Sequence, residues 1–154
     1  RSLIDVDTHI DDNYINDDDL KIEIHKKINE VNSMEKLNEV KAELENRFGR
    51  ISYELEIYMY EEWFEKLANK LEIKRVKQTK TMVDLELSED ISKKIQGEEL
   101  FMLSYEVSHN FKLSFKDNKI HIILELVNLD KHFLIYIIEL LSKLIEKLNL
   151  NGKN

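Results

Sequence analysis

The sequence predicts an α+β fold, with an N-terminal layer of three helices, a small and mainly antiparallel sheet of two hairpins, and a closing C-terminal amphipathic helix. Apolar residues recur every three or four positions over residues 17–71, which is the spacing of helices buried along one face. From residue 73 the apolar period changes to two, which indicates strands. An almost unbroken apolar stripe over residues 133–148 then predicts a last helix that covers the sheet.

Polar residues mark where the first three helices begin. Asp17, Ser33 and Ser52 can each accept a backbone N–H at a helix start, as N-cap residues do. The second helix has to stop at Gly49, because a helix end with positive φ favours a residue without Cβ. The third helix is predicted over residues 53–71.

The sheet is predicted from four segments that alternate apolar and polar residues, namely 73–77, 81–87, 111–115 and 120–126. Asp117-Asn118 lies between the last two and suits a two-residue hairpin turn, since both residue types tolerate positive φ. Two short helices, ending at Ile95 and near Ser108, separate the hairpins. We expect the last helix to end near Asn151-Gly152.

Length and charge indicate one soluble domain with an acidic N-terminal arm. The 154 residues, of which 42% are hydrophobic and 35% charged, suit a single globular domain, which we place at 17–150 after an extended arm over 1–16. The first nineteen residues hold seven aspartates and one arginine, a local charge of −6 within a net charge of −8. This surface repels phosphate backbones, so a basic protein surface is the expected partner rather than nucleic acid.

The residues supply little chemistry for catalysis. The three glycines are too dispersed for a phosphate-binding loop, and the five histidines lack metal-ligand spacing. Asp5-x-Asp7-x-His9 could be taken for a metal site, but a solvated acidic arm is the better interpretation because further ligands are missing. His25 is interpreted as a partly buried structural residue. We therefore expect no catalytic residue, cofactor or metal ion, and a chain without cysteine suits a reducing cytoplasm.

Two clusters have both a functional and a structural interpretation. Four aromatic residues of the third helix could form a base-stacking platform, but they alternate with glutamates, so core packing is favoured; they are Tyr53, Tyr58, Tyr60 and Trp63. The basic cluster beside the first hairpin is explained by a solvated strand face, with a weak electrostatic contact as the alternative; it consists of Lys74, Arg75, Lys77 and Lys80.

Two motifs resemble the C-terminal domain of the bacterial transcription-repair coupling factors, the Mfd family. Residues 4–28 are similar to the beginning of that domain, with its Ile-Asp … Ile-Pro-x-x-Tyr-Ile … Lys/Arg-Leu-x-x-Tyr-Lys-Arg pattern. Residues 43–49, Glu-Leu-Glu-Asn-Arg-Phe-Gly, are similar to its Glu-Leu-x-Asp-Arg-Phe-Gly, and residues 67–71 continue the likeness. Asp11 replaces a proline of the family pattern, and Asn46 replaces an acidic residue.

The resemblance implies a non-catalytic regulatory domain of an ATP-dependent DNA translocase that recognises stalled RNA polymerase. In that family the domain packs on the UvrB-like module of the same protein, masks the surface that UvrA needs, and helps to restrain the motor. Carried over by position, Glu43 and Arg47 are the expected charged contacts, with Asn46 as a weakened third. No small-molecule substrate and no membrane are expected.

Two other classes of function remain open from the residues alone. A free-standing structural or dimerisation domain would use the C-terminal amphipathic helix as its interface. A small acid–base hydrolase would need a site geometry that the spacing does not suggest.

Overall fold

A computed structural model of the chain describes residues 2–150, which form two compact units. Residues 6–64 make up the first, here called the helical unit, and residues 2–5 with 65–150 make up the second, the sheet unit. The order of elements confirms the α+β fold, with three helices ahead of an antiparallel sheet and a last helix. The expected division into an arm over 1–16 and a domain over 17–150 stays a prediction.

Three helices account for most of the helical unit: α1 (Asp18–Asn29), α2 (Met34–Phe48) and α3 (Tyr53–Lys70), the last of which continues into the sheet unit. All three predicted caps are confirmed. Asp17 Oδ1 accepts the N–H of Leu20 at 3.0 Å, and the hydroxyls of Ser33 and Ser52 accept those of Lys36 at 3.0 Å and Leu55 at 3.1 Å. Each cap satisfies an N–H that a helix start leaves without an intrahelical partner.

Residues 6–16 form neither helix nor strand, but they are not a loose tail. Ile10 and Ile15 are buried, whereas Asp7, Asp11 and Asp12 are exposed. Asp12 pairs with Lys21 of α1, and this ammonium group lowers the pKa of the carboxyl. The segment therefore places apolar side chains inward and its acidic charge in solvent.

The aromatic residues of α3 lie mostly in the core, which confirms the structural interpretation for Tyr58 and Tyr60, whereas Tyr53 is 60% exposed. Tyr58 and Tyr60 are 5% and 8% exposed. The Tyr58 hydroxyl lies 2.8 Å from Nδ1 of the half-buried His25 and donates to Asn29 at 3.2 Å. Burial, with the nearby charges of Glu62 and Glu61, raises the pKa of Tyr58 to about 12, and burial lowers that of His25. His25 is thus a structural residue, as expected.

The sheet unit contains four antiparallel strands in the order β1-β2-β4-β3: β1 (Arg75–Gln78), β2 (Met82–Glu86), β3 (Phe111–Lys116) and β4 (Lys119–Glu125). Asp117 and Asn118 close the β3–β4 hairpin with φ values of 53° and 63°, which confirms the predicted turn. Both angles are positive, as a two-residue turn that follows the strand twist requires.

One face of the sheet is apolar and the other is charged. The buried face includes Val83 and Leu85 of β2, paired with Leu124 and Ile122 of β4. On the other face, His121 Nδ1 lies 2.9 Å from Asp84 Oδ1. Exposed cations of this face lie on both edge strands, namely Arg75 and Lys77 on β1 and Lys112 and Lys116 on β3. Charged edges discourage pairing with another sheet, which favours the structural interpretation of the basic cluster.

Two short helices, α4 (Glu89–Lys93) and α5 (Gly97–Val107), connect the hairpins, and α6 (Phe133–Leu148) closes the unit. The apolar stripe of α6 is buried at seven positions: Leu134, Ile137, Ile138, Leu140, Leu141, Leu144 and Ile145. The helix ends at Leu148, where Asn149 takes a left-handed conformation with φ 60°. The expected end near Asn151-Gly152 lies outside the described residues. Among those described, no helix is long and apolar enough to cross a membrane.

Candidate interaction surface at the end of helix α2

Helix α2 places its predicted contact residues opposite its buried face. Leu37, Val40 and Leu44 are at most 3% exposed and line one side of the helix. Glu43, Asn46 and Arg47 lie on the other side of the helix, at the surface. Glu43 is partly exposed, and Asn46 and Arg47 are exposed. The sequence therefore places these three side chains together, as expected from their spacing.

Four charged residues form an alternating ion-pair chain between α1 and α2, here called the charge chain: Glu23, Arg47, Glu43 and Lys27. Nη1 of Arg47 donates to Glu23 Oε2 at 3.0 Å and to Glu43 Oε2 at 3.3 Å. The second oxygen of Glu43, Oε1, lies 3.3 Å from Nζ of Lys27. Both predicted contact charges are thus already paired within the helical unit.

Arg47 is held in place but retains donors. Its guanidinium carbon lies 4.8 Å from the centroid of the Phe48 ring, a cation–π arrangement. The hydrogen bond to Glu23, supported by Glu43, raises the pKa of Arg47. In the described part of the chain only Nη1 of this guanidinium donates, whereas arginine carries five N–H donors. The other donors remain available to a carboxylate from outside.

The end of α2 is fixed by Tyr14, which comes before α1. Its hydroxyl donates to the carbonyl of Gly49 at 2.7 Å and approaches that of Leu44 at 3.3 Å, and its ring meets Phe48 edge-on at 6.0 Å. Burial raises the pKa of Tyr14, and the charge of Glu45 adds to the effect. Gly49 has φ 94°, the positive value expected of a residue without Cβ. The hydroxyl of Tyr14 therefore bonds the carbonyl of Gly49, the residue that ends α2.

Sequence reasoning did not find Tyr14, Glu23 or Lys27 as parts of this surface. Glu23 and Arg47 are separated by 24 positions, so no local pattern joins them. Tyr14 did carry a signal, since it occupies the tyrosine of the Tyr-Ile pair in the resembled motif. The charge chain depends on how α1 packs against α2, which spacing within one helix does not determine.

An open cleft of about 600 Å³ adjoins the α2–α3 junction. Asp7, Asp11 and Glu54 line it together with Arg50 and His9. Ser52 also lines it, but its hydroxyl accepts the N–H that begins α3, and no hydrogen bond in residues 2–150 joins it to His9. The cleft therefore has the polar lining of a contact site without a hydroxyl held by a base.

Within residues 2–150, no three histidine, aspartate or glutamate side chains are grouped closely enough to hold a metal ion. His9 Nδ1 lies 3.7 Å from Asp7 Oδ1, and the backbone N–H of His9 donates to the same oxygen at 3.0 Å. These contacts belong to a local turn of the acidic segment.

A comparison with protein families shows to which family the chain belongs. The family model of the TRCF domain matches residues 4–98, which include the whole helical unit and the first hairpin of the sheet. The chain belongs to the TRCF domain family. The matched residues contain Tyr14, the charge chain and Gly49, so the surface built above lies within the part of this chain that the family model describes. The family description names no reaction.

Two curated relatives are similar over most of this chain. The transcription-repair-coupling factor of Bacillus subtilis (strain 168) is 29% identical over 119 residues, which cover 77% of this chain and 10% of the relative. That of Staphylococcus haemolyticus (strain JCSC1435) is 29% identical over 130 residues, which cover 79% of this chain and 10% of the relative. The TRCF chain thus spans about a tenth of the length of the curated relatives it matches.

A solved structure shares the fold. The crystal structure of the C-terminal domain of a transcription-repair coupling factor superposes with a TM-score of 0.79, covering 99% of this chain and 94% of that one. The sequences are 16% identical over this superposition, so the likeness shows a common fold. It covers both the helical and the sheet unit, whereas the TRCF family model ends at residue 98.

Proposed function

We propose that this TRCF domain is a non-catalytic regulatory domain of a transcription-coupled DNA repair translocase. It packs on the UvrB-like module of the same protein, masks the surface that UvrA needs, and restrains the motor. The observation that carries the proposal is the charge chain at the end of α2, which holds Glu43 and Arg47 side by side at the surface. Family membership of residues 4–98 supports the assignment to such a parent.

The charge chain suits a contact that has to release. Exposed ion pairs contribute at most about 1 kcal/mol each, so a partner can replace them at little cost. Charged residues at the rim of an interface mainly set specificity and association rate. A regulatory contact of this kind needs a net coupling of only a few kcal/mol, because a tighter one would not open.

Arg47 is better placed than Glu43 to meet a partner. Both carboxylate oxygens of Glu43 are engaged, by Lys27 and by Arg47, whereas Arg47 donates through one of its nitrogens. We therefore expect Arg47 to make the stronger contact, with Glu43 orienting it. Asn46 is exposed and uncharged, so it offers an amide where the resembled family pattern has an acidic residue.

The test is a titration of this chain against the UvrB-like module of its parent, at low and moderate salt, by isothermal calorimetry. We expect binding that weakens with salt and that UvrA competes away, because charges at the rim are screened over about 10 Å at 0.1 M salt. Arg47→Glu should weaken binding by about tenfold or more, and Glu43→Arg by less. Lys80→Glu makes the same change of charge at an exposed residue of the sheet unit and should leave affinity unchanged.

Equal affinity of the wild type and the Arg47→Glu, Glu43→Arg double variant would sink the proposal. If the separate parts do not bind, a covalently tethered form decides, since tethering raises the effective concentration to the millimolar range. In that form the wild type should block UvrA and the double variant should not. A tethered domain that leaves UvrA binding unchanged would exclude the masking role.

Dimerisation through the C-terminal helix has less support. That hypothesis needs the apolar stripe of α6 to be free, and its seven residues named above are buried in the folded chain. A second copy could reach them only if α6 left its place. Analytical ultracentrifugation of the isolated chain should accordingly show a mass independent of concentration.

A further inference from the structure

Helix α5 displays a column of three stacked rings, here called the aromatic ladder: Phe101, Tyr105 and His109. The residues follow each other at intervals of four, so they lie above one another on one helix face and its continuation. The ring centroids of Phe101 and Tyr105 are 6.0 Å apart with planes inclined by 25°. Those of Tyr105 and His109 are 3.9 Å apart and inclined by 13°.

The ladder lies on the side of α5 that the fold does not use. Leu100 and Ser104 are buried at 1% and 2% exposure and form the inner side of the helix. Phe101, Met102 and Tyr105 are 53%, 55% and 51% exposed. With roughly 150–250 Å² per aromatic side chain, half-exposure of three neighbours leaves about 300 Å² of contiguous, largely apolar surface. That is comparable to the largest apolar patch of a typical soluble monomer, which is often functional.

A single exposed aromatic residue would need no explanation, and Phe115, which is 70% exposed on the edge strand β3, is an example. The ladder differs because its rings are contiguous and hold each other in one orientation. Rings fixed in this way lose little conformational freedom on binding, and aromatic residues and methionine are enriched at interfaces.

Charge around the ladder indicates the kind of partner. Residues 96–110 contain three glutamates and neither lysine nor arginine. Glu99 and Glu106 reach Lys147 at 3.8 Å and Lys143 at 4.0 Å on α6. Glu98, one turn before Phe101, has no ion pair in the described residues. Lysines of α6 therefore offset two of the three glutamates, and Glu98 supplies a carboxylate on the ladder face that is unpaired within residues 2–150.

We propose that the aromatic ladder docks a basic amphipathic helix supplied by a protein partner. Apolar residues of that helix cover Met102 and Tyr105, arginine side chains stack on the exposed ring faces, and one cation pairs with Glu98. Arginine suits both contacts, because its planar guanidinium stacks on rings and binds a carboxylate with two hydrogen bonds. A partner helix contacts such a surface through anchors spaced at i, i+3, i+4 and i+7.

The same charges disfavour the other occupants. In a symmetric dimer the ladder of one copy would face that of the other, and the two Glu98 carboxylates, which lack a pairing cation among the described residues, would repel each other. An anionic membrane surface is repelled for the same reason, since peripheral membrane helices carry lysine and arginine around their apolar face. The proposal is independent of the proposed function, because the ladder lies in the sheet unit and beyond residue 98, where the match to the family model ends.

The test uses the full chain and a fluorescein-labelled peptide of about five helical turns, with leucines along one face and arginines beside them. We expect micromolar binding by fluorescence anisotropy. A scrambled peptide of the same composition, and a peptide with glutamate in place of arginine, should bind at least about tenfold more weakly. Binding of all three peptides alike, or no binding below about 1 mM, would overturn the proposal.

Variants of the chain locate the binding. The Phe101→Ala, Tyr105→Ala double variant should weaken binding by about tenfold or more, and Tyr105→Phe, which keeps the ring, should retain it. Phe115→Ala is the matched aromatic control and should bind as the wild type does. Glu98→Lys should weaken binding, whereas Glu35→Lys, the same charge change at an exposed residue of α2, should not. Circular dichroism checks that each variant is folded.

Two further measurements separate the other occupants. Sedimentation of the wild type and the double variant detects self-association, and flotation with vesicles of phosphatidylglycerol detects membrane binding. Self-association or vesicle binding that the double variant abolishes would overturn the proposal in favour of that occupant. Monomeric sedimentation and no vesicle binding, together with the peptide result above, support it.

Discussion

Helices α2 and α5 present two surfaces that would bind a partner through different interactions. At the end of α2 the charges are already satisfied within the chain, because Arg47 and Glu43 pair with Glu23 and Lys27. On α5 the aromatic ladder is stacked on itself and otherwise faces solvent. A partner at α2 therefore exchanges one ion pair for another, whereas a partner at α5 removes apolar surface from water.

This difference predicts that binding at the two surfaces differs in its salt dependence and in its heat-capacity change. Exchange of exposed ion pairs depends on ionic strength and changes the heat capacity little. Burial of the aromatic ladder gives a negative heat-capacity change that salt leaves largely intact. Both surfaces are built on helices that use their other face for the core, so a substitution on the surface should spare the fold while one on the inner face should not.

The largest expected effect tests this division of faces. Leu44→Ala, at 0% exposure on the inner face of α2, should lower the free energy of unfolding by about 2–5 kcal/mol, because the lost methyl groups leave a cavity. Phe101→Ala removes a larger side chain from the ladder but should change it by less than about 1 kcal/mol, since 53% of that residue is exposed. Urea denaturation followed by circular dichroism measures both.

A loss at Phe101 as large as that at Leu44 would mean that the ladder stabilises the fold rather than serving a partner. Tyr105→Ala is a second variant that tests the stability contribution of the same face. Its ring is half-exposed and contacts Phe101 and His109, so its removal should again have a small effect.

Two glycines sharpen the comparison at the helix ends. Gly49 follows α2 with φ 94°, and Gly97 is the first residue of α5. A Cβ added at either meets no atom within 4 Å, so the backbone alone decides the outcome. Gly49→Ala should destabilise by about 1–2 kcal/mol because alanine is strained at this φ. Gly97→Ala should stabilise by about 0.4–1 kcal/mol, because it reduces the freedom of the unfolded chain.

Thermal unfolding of the two variants, followed at one pH, gives the signs directly. If the unfolding temperatures of the two variants shifted by equal and small amounts in the same direction, the end of α2 would not be conformationally constrained. That result would also weaken the role of Tyr14, which bonds the Gly49 carbonyl.

Local signals predicted the parts of the fold that local chemistry determines. The caps Asp17, Ser33 and Ser52 and the Asp117-Asn118 turn follow from hydrogen bonds and φ values within a few residues. Glu43, Asn46 and Arg47 share a surface because of helical spacing, although their role stays a prediction. Arg47 to Glu23, by contrast, is a contact between helices that no spacing encodes.

Periodicity was weakest on α5. The sequence predicted a helix over residues 98–108, but α5 carries apolar residues on two sides, and periodicity does not say which side the fold covers. The structure places Leu100 and Ser104 inside and leaves Phe101 and Tyr105 outside. A helix with more apolar faces than its unit can cover is what distinguishes a binding element from a purely structural one.

The smallest expected effect is on the pH dependence of the free energy of unfolding. It should involve the N-cap of α6, the helix that packs against α5, and not the N-cap of α2. Helix α6, against which α5 packs, begins at His132, whose Nδ1 accepts the N–H of Leu134 at 3.1 Å. A protonated imidazole cannot accept this bond. Helix α2 begins at Ser33, whose hydroxyl does not titrate in this range.

Burial lowers the pKa of His132 in the folded chain, so below its ordinary value of about 6.5 the unfolded chain binds more protons. The free energy of unfolding should therefore fall as pH falls from 7 to 5, with His25, whose pKa burial also lowers, adding to the slope. His132→Asn keeps a capping side chain that does not titrate. It should reduce the loss of unfolding free energy between pH 7 and pH 5 by up to about 1 kcal/mol, the usual contribution of an N-cap. Urea denaturation of both proteins at each pH measures it. An unchanged slope would mean that the His132 cap of α6 does not contribute to the acid sensitivity, which would then come from other groups, such as His25 in the helical unit.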